Sequence, residues 1–337
     1  MSNAPSALPD ASLPDSLSVK TYTYSTPVPE APLLVDVIVS KALLAQTSPA
    51  TKAKTRVVLN IHGGALVIGG RSLPSPIAPR WLLAYMHLHD YVLLTADYRL
   101  LPESSGLDAV SDVEAAYQWT RNVLPTLLPN VDLDLDRVVV TGGSAGGYFA
   151  TQLGIAHPEV TVIAGYPMFD LEDSHYTVQA TTGYWGQPPV RREVIDKIIA
   201  SLVPGKIATE RVKGPDVMEF ASGMLQQARL AEFLGDDDRV YPRRLLDAIL
   251  ASDASPKRAH QKWFVFHGEN DTVVPVRESK KLVERLERWG AQVRYVTKPG
   301  DHGFDSALDE EDQAAVHKGH WGGYEWQKEG LDWAFAH

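Results

Sequence analysis

The sequence predicts a doubly wound, mainly parallel α/β sheet roofed by a helical cap, and three observations carry that expectation. Short apolar, β-branched runs alternate with helix-periodic segments, the pattern of parallel strands joined by crossover helices. A serine stands in a turn of small residues, Gly142-Gly143-Ser144-Ala145-Gly146, between one such strand and one such helix. About 95 residues separate the strand ending near Tyr166 from the next at Trp263, too many for an ordinary crossover.

Taken in order, the Pro/Ser-rich opening through about Pro32 is not expected to form a packed element by itself. Leu33–Ser40 reads as a first strand, and residues 51–54 as a turn before the strand 57–61. A helix follows at 76–89 and a strand at 91–96. The helix at 107–124 carries Val110, Val113, Ala116 and Tyr117 at helical spacing, with Asp108 and Asp112 near its N-terminus, where they favour the dipole. Residues 137–141 suit a buried parallel strand and 147–156 a helix; 161–166, 263–266 and 292–297 are further strands, and 278–289 is a helix. Between 166 and 263 the helix-like pieces 191–202, 217–230 and 241–251 are expected to form a cap over the serine.

Composition sets limits. A chain of 337 residues suits one large α/β domain with an added element and buries an ample core. There is no cysteine, which excludes disulfides and thiolate metal sites. Residues 1–18 lack a basic stretch followed by an apolar core, and no uncharged apolar run approaches the ~18 residues of a membrane span. A soluble, cytoplasmic protein is the expectation. The formal net charge of −10 argues against nucleic-acid binding through phosphates and gives no strong attraction to anionic membranes.

Ser144 needs a base, an orienting acid and donors for a developing oxyanion, since a serine hydroxyl is a poor nucleophile at neutral pH. Gly142 and Gly146 have a physical reason to lack side chains if the strand and helix pass closely at a sharp turn. Upstream, the strand 57–61 runs into His62-Gly63-Gly64-Ala65, whose small residues let backbone N–H groups face a substrate carbonyl. Asp271 lies in the loop after the strand 263–266, and His302 in the loop after 292–297, where parallel sheets place their catalytic groups. Glu269 is the fallback acid, and His267 competes with His302 as the base.

Three ordered motifs, His62-Gly63-Gly64-Ala65, Asp97-Tyr98-Arg99-Leu100-Leu101-Pro102-Glu103 and Gly142-Gly143-Ser144-Ala145-Gly146-Gly147, resemble the hormone-sensitive-lipase-like branch of the α/β-hydrolases over about residues 55–305. The chain order Ser144, Asp271, His302 is that fold's order. The resemblance implies a carboxylic-ester hydrolase acting on a small molecule with no metal or organic cofactor. The long connection divides the chain into a core of 51–168 and 261–337 and a cap of 169–260, and the resemblance implies that the N-terminal segment 1–50 can join the cap. Two positions depart from the family pattern: Ala65 replaces the third glycine of the oxyanion motif, and Gly143 replaces the aspartate before the nucleophile. Alanine still offers an N–H, so Gly64, Ala65 and Ala145 remain the expected oxyanion donors, with substrate choice more in question than mechanism. Residues 267–275 also resemble the acid loop of peptidase- and formamidase-like α/β-hydrolases, which keeps amide substrates open.

Other residues carry weaker expectations. Gly63, Phe169, Tyr184 and Trp185 are candidates for contact with substrate, although aromatic residues more often fill a core. Tyr176 belongs to the same aromatic group. Asp97 and Arg99 are expected to brace the site through an internal ion pair, and His62 to serve as a structural hydrogen-bonder. Asp236-Asp237-Asp238 reads as a solvated turn rather than a metal site, and His317 and His320 as surface or packing residues. Three functions remain open: a carboxylesterase of small to medium esters; an amide or thioester hydrolase, acyl transferase or lactonising enzyme of secondary metabolism; and a non-catalytic ligand receptor, whose usual sign is loss of the histidine. The oligomeric state is not specified by the sequence.

Overall fold

The computed structural model describes residues 14–47, 54–72, 80–212, 216–252, 258–306 and 321–336. Eight strands, β1 (Leu17–Ser25), β2 (Leu33–Ser40), β3 (Thr55–Ile61), β4 (Val92–Ala96), β5 (Leu133–Gly143), β6 (Thr161–Gly165), β7 (Lys262–Gly268) and β8 (Gln292–Lys298), form one sheet in the order β1-β2-β4-β3-β5-β6-β7-β8. The six from β4 to β8 run parallel, and β1 and β2 join one edge antiparallel.

Alternation along each central strand explains why helices cover both faces. Val57 and Leu59 of β3, Val138 and Val140 of β5, and Val162 of β6 enter one core, while Val58, Val139 and Ile163 enter the other. Successive side chains of a strand point to opposite faces, so a strand buried on both reads as a continuous apolar run. The first core also takes Val113, Tyr117, Phe149 and Leu286, from the helices Gly106–Asn122, Ala145–Ala156 and Arg277–Trp289. The second takes Trp81, Tyr85 and Phe335, from Arg80–Leu88 and Glu325–Phe335.

The opening of the chain corrects one expectation. Leu17–Ser25 is a strand joined to Leu33–Ser40 at the edge of the sheet rather than part of a cap: β1 pairs with β2 from Leu17 opposite Ser40 onward. The Pro/Ser bias of the first 32 residues hides the run Val19, Thr21, Tyr22, Thr23, Tyr24, which has the β-branched and aromatic character of a strand. Thr21 Oγ1 donates to Asp36 at 2.6 Å, and Tyr24 Oη donates to the Asp97 carbonyl at 2.6 Å, tying this edge to the end of β4.

Strand order reverses at β3: β4 lies on one side of it and β5 on the other. In open α/β sheets the crevice beyond the C-terminal ends at such a switch point is where ligands bind. The chain between β6 and β7 lies on the same connection as the expected cap and carries the helices Arg192–Ser201, Val217–Gln226 and Pro242–Ala251. The first two cross closely, since a Cβ on Gly223 would meet Ile195 Cδ1 at 2.1 Å. Tyr148 Oη and Gln152 Nε2, from the helix after β5, donate to the carbonyls of Val240 and Arg239 at 2.8 Å each. Among the described residues no helix is long and apolar enough to cross a membrane.

Ile163 is fully buried at the centre of the sheet. Ile163→Ala should lower unfolding free energy by about 2–5 kcal/mol through lost transfer energy and a residual cavity, measured as a shifted urea midpoint at unchanged slope.

Candidate active site

The turn after β5 holds Ser144 in a conformation that L-residues avoid, with φ 57° and ψ −121°. Its N–H donates to the Gly165 carbonyl at 3.0 Å, and its carbonyl accepts from Tyr148 N at 3.0 Å. The flanking glycines follow from space: a Cβ on Gly146 would lie 2.1 Å from the Ile61 carbonyl oxygen, and one on Gly142 would lie 2.6 Å from the same atom. The helix Ala145–Ala156 starts directly after Ser144, two residues earlier than its sequence suggests. The Ala145 N–H is therefore in the first turn, where no intrahelical acceptor exists.

Asp271 lies past β7 with its side chain fully buried and every oxygen engaged. Oδ1 accepts from the N–H groups of Val273 and Val274 at 2.9 and 2.8 Å. Oδ2 accepts from His302 Nδ1 at 2.8 Å and lies 3.3 Å from His267 Nε2. Burial by itself would raise this carboxyl, but the His302 charge and the hydrogen bonds from both imidazoles outweigh it and hold the group well below the usual carboxylate range. Because a carboxylate only accepts, His302 Nδ1 carries a proton, and Nε2 is the ring nitrogen that can take one up or give one away.

His267, the alternative base, sits beneath the acid. It has no exposed surface; its Nε2 reaches the Val274 carbonyl at 2.8 Å and its Nδ1 reaches Ser279 Oγ at 2.6 Å. A carbonyl requires Nε2–H, and Nδ1 is engaged by the Ser279 hydroxyl, so both nitrogens are occupied. Glu269, the fallback acid, accepts from Thr297 Oγ1 at 3.2 Å on the exposed side of the loop. Asp301 joins the two loops: its Oδ1 accepts from the N–H groups of Thr272 and His302 at 2.8 and 2.7 Å.

In the loop after β3, Gly64, Ala65 and Leu66 all have left-handed backbones, with φ 106°, 55° and 62°. Among the described residues neither the Gly64 nor the Ala65 N–H donates to a backbone carbonyl, while the Gly64 carbonyl accepts from Val67 and Ile68 N at 2.9 Å each. His62 Nδ1 donates to the Gly63 carbonyl at 2.8 Å, and its ring stacks on Tyr98 at 4.2 Å. Tyr98 Oη donates to the His62 carbonyl at 3.1 Å. Gly63 is buried with its carbonyl turned into this framework.

Tyr166 and Asp305, to which the sequence assigns no role, lie against the histidine. A Cβ on Gly143 would come within 2.9 Å of Tyr166 Oη, so the tyrosine occupies the space beside the missing aspartate. The Tyr166 ring meets the His302 ring edge-on at 4.6 Å, and its hydroxyl donates to Asp305 Oδ1 at 2.8 Å. Trp81 Nε1 donates to Asp305 Oδ2 at 2.9 Å. Burial raises the Asp305 carboxyl, against the hydrogen bonds from Trp81 and Tyr166. Since Tyr166 touches both, residue 143 and His302 stand about one ring apart.

Other expectations divide. Trp185 is half-buried near His302: its ring lies 6.3 Å from the imidazole, its indole N–H donates to the His302 carbonyl at 3.5 Å, and its backbone N–H donates to Thr272 Oγ1 at 3.0 Å. Tyr184 packs beside it, buried, with ring centroids 6.1 Å apart. Phe169 corrects its expectation: it has no exposed surface with which to line a pocket and lies in the core under Arg285. Tyr176 is likewise core. Asp97 and Arg99 do not pair with each other. Each is taken by a partner from another segment: Asp97 takes Arg71 at 2.7 Å, while Arg99 grips Asp112 with two nitrogens at 2.7 Å each. Asp236 and Asp238 pair with Arg244, and Asp237 with Arg239. His317 and His320 lie outside the described residues.

A mainly parallel sheet with a strained serine turn after β5, and an acid–imidazole pair carried after β7 and β8, defines the class as an α/β-hydrolase. A family model for the alpha/beta hydrolase fold matches residues 58–306. The chain is 28% identical over 300 residues to the probable carboxylesterase M8 of a Phoma species, covering 85% of this chain and 89% of that protein. It is 26% identical over 324 residues to the non-reducing polyketide synthase Preu6 of Preussia isomera, covering 87% of this chain and 14% of the synthase. The crystal structure of carboxyl esterase 2 from the mycorrhizal fungus Tuber melanosporum aligns with a TM-score of 0.56 at 16% identity, over 94% of this chain and 88% of that one, a likeness of fold. The chain belongs to the α/β-hydrolase family, in its hormone-sensitive-lipase-like branch.

Burial lowers His62 from 6.5 to about 4, against its hydrogen bond to Gly63. The unfolded chain therefore binds more protons between these values, so this stabilisation is complete above pH 6.5 and lost as pH falls through about 4, amounting to about 3 kcal/mol. Denaturant midpoints taken from pH 7 to pH 4 should fall more steeply for the parent than for His62→Gln.

Proposed function

We propose that this protein is a carboxylic ester hydrolase of small to medium substrates, with Ser144 as nucleophile, His302 as general base and Asp271 as the acid that orients it. The observation that carries the reading is the His302 Nδ1–Asp271 hydrogen bond, which leaves Nε2 as the free basic nitrogen one tyrosine ring from the serine turn. His302 Nε2 takes the Ser144 proton as Oγ attacks the ester carbonyl. The carbonyl π electrons move onto oxygen, and the N–H groups of Gly64, Ala65 and Ala145 receive that charge. Collapse of the tetrahedral intermediate expels the alcohol, protonated by His302, and leaves an acyl-serine. Water repeats the sequence and releases the acid. Asp271 stays ionised throughout, as its depressed pKa favours, and stabilises the imidazolium.

Likeness to part of a polyketide synthase supports a second reading, in which the same three residues cleave a thioester or pass the acyl group to an alcohol. The chemistry is shared; what differs is whether the cap admits water to the acyl-serine. Hydrolysis of p-nitrophenyl esters, a thioester and a lactone, each with and without an added alcohol, separates the two by product.

Ser144→Ala and His302→Ala should each lower kcat on the order of 10⁴-fold or more, and Asp271→Asn should leave somewhat more activity. His267→Ala should retain most of the rate and lose stability instead, because both its nitrogens serve the loop. If His267 proves the more damaging loss, the base is misassigned. A phosphonate that labels a serine other than 144 removes the nucleophile.

Ala65→Gly removes a left-handed alanine, which should stabilise the loop by about 1–2 kcal/mol. If its methyl limits the acyl group, the kcat/KM ratio between bulky and short acyl esters should rise in this variant. A uniform change across a p-nitrophenyl series points to oxyanion geometry instead.

A further inference from the structure

Residues 208–211, which follow the helix Arg192–Ser201, are stitched to the loops after β3 and β4. The Ala208 carbonyl accepts from Leu100 N at 2.8 Å. Arg211 and Gly69 exchange both backbone hydrogen bonds, Gly69 N to Arg211 O at 2.9 Å and Arg211 N to Gly69 O at 2.8 Å. The Arg211 guanidinium then reaches inward. One nitrogen donates to the carbonyls of Val67 and Leu101, the latter at 3.1 Å, and another pairs with Glu103. The face of Phe220 covers it at 5.3 Å, and only 16% of the side chain is exposed.

Those contacts fall on the loop that most needs holding. Three successive left-handed residues, two of them carrying side chains, persist only where the surroundings over-determine them. Leu66 is held from one side, its carbonyl accepting from Leu101 N at 2.9 Å. The carbonyl of the next residue, Val67, is held by Arg211. Released from that donor, the peptide planes from 64 to 67 can rotate toward right-handed backbone, which turns the Gly64 and Ala65 N–H groups.

We infer that Arg211 is a positioning residue, through which the segment between β6 and β7 fixes the oxyanion loop and so supports stabilisation of the transition state. This rests on reading Gly64 and Ala65 as oxyanion donors. A misdirected N–H matters most when negative charge has formed on the carbonyl oxygen, so the effect belongs in kcat rather than KM.

The test compares Arg211→Ala, Arg211→Lys and Ser144→Ala with the parent on a short p-nitrophenyl ester, together with inhibition by a trifluoromethyl ketone. Arg211→Ala should lower kcat about 10- to 100-fold with KM within about threefold, and weaken the ketone by a similar factor. Millimolar guanidinium should restore part of the rate to Arg211→Ala. Arg211→Lys should recover only part of the loss, since a single ammonium cannot span two carbonyls and Glu103 as a planar fork does. A folded Arg211→Ala with parental kcat, or with raised KM at parental kcat, overturns the inference. If the alanine variant does not fold, Arg211→Lys decides: parental kcat overturns the inference, and a kcat lowered at least about fivefold at unchanged KM supports it. With Ser144→Ala inactive, parental Arg211 variants sink this inference alone. Activity in Ser144→Ala sinks the underlying assignment of the site.

Discussion

The constraint on which the site depends is the near-contact between the serine turn and the end of β3. The Ile61 carbonyl stands where side chains at 142 and 146 would project, so the first turn of the following helix lies directly against the strand that feeds the loop 62–65. One packing fact thereby brings two groups of backbone donors together, the first N–H of the helix and those of the loop. It also places them at the switch point of the sheet, beyond the C-terminal ends of β3 and β5. The left-handed serine is the local consequence, held by its bonds to Gly165 and Tyr148.

Much of this was legible because the relevant signals are local. The runs around β3, β5, β6 and β7 are apolar on both faces, and such strands announce themselves without any partner being known. The positions of Gly142, Ser144, Gly146, Asp271 and His302 at or past the strand ends could be read because each follows on an apolar run. Pairings that depend on tertiary placement were not legible. Asp97 and Arg99 are two apart, and nothing in their spacing reveals that one meets Arg71 and the other Asp112. β1 was hidden for a different reason. An edge strand has little buried surface and thus a weak apolar pattern, and its identity comes from pairing with β2.

Gly143 shows how a departure from a family pattern can be absorbed. Loss of a carboxylate beside the nucleophile leaves room on the His302 side, and the hydroxyl end of Tyr166 fills it. The tyrosine brings its own acid, Asp305, which is capped by Trp81 within the same core that holds Tyr166. A buried carboxyl with a donor on each oxygen is satisfied as a hydrogen-bonding group. His302 therefore rests on a tyrosine ring whose other end is fixed, which restricts the imidazole from below while Asp271 restricts it from the side. Position 305 gave no advance signal because it gains meaning only when Tyr166 and Trp81 converge on it.

The segment between β6 and β7 is fastened at two margins of different physical character. Near the exit from β6, Arg243 meets Asp170 at 2.6 Å and Lys281 meets Asp170 and Asp173 at 2.7 and 2.6 Å, while Arg285 meets Asp247 at 2.7 Å. These side chains are partly exposed, so each pair contributes modestly and is weakened by salt. Glu278 anchors the lattice from inside, its buried carboxylate accepting from Asp170 N at 2.6 Å. At the opposite margin Arg211 is mostly shielded and bonds to backbone carbonyls, whose positions cannot adjust without moving the loop. Ionic strength thus acts chiefly on the first margin and leaves the second in place. The segment between β6 and β7 is therefore held least dependently on ionic strength where Arg211 meets the loop after β3.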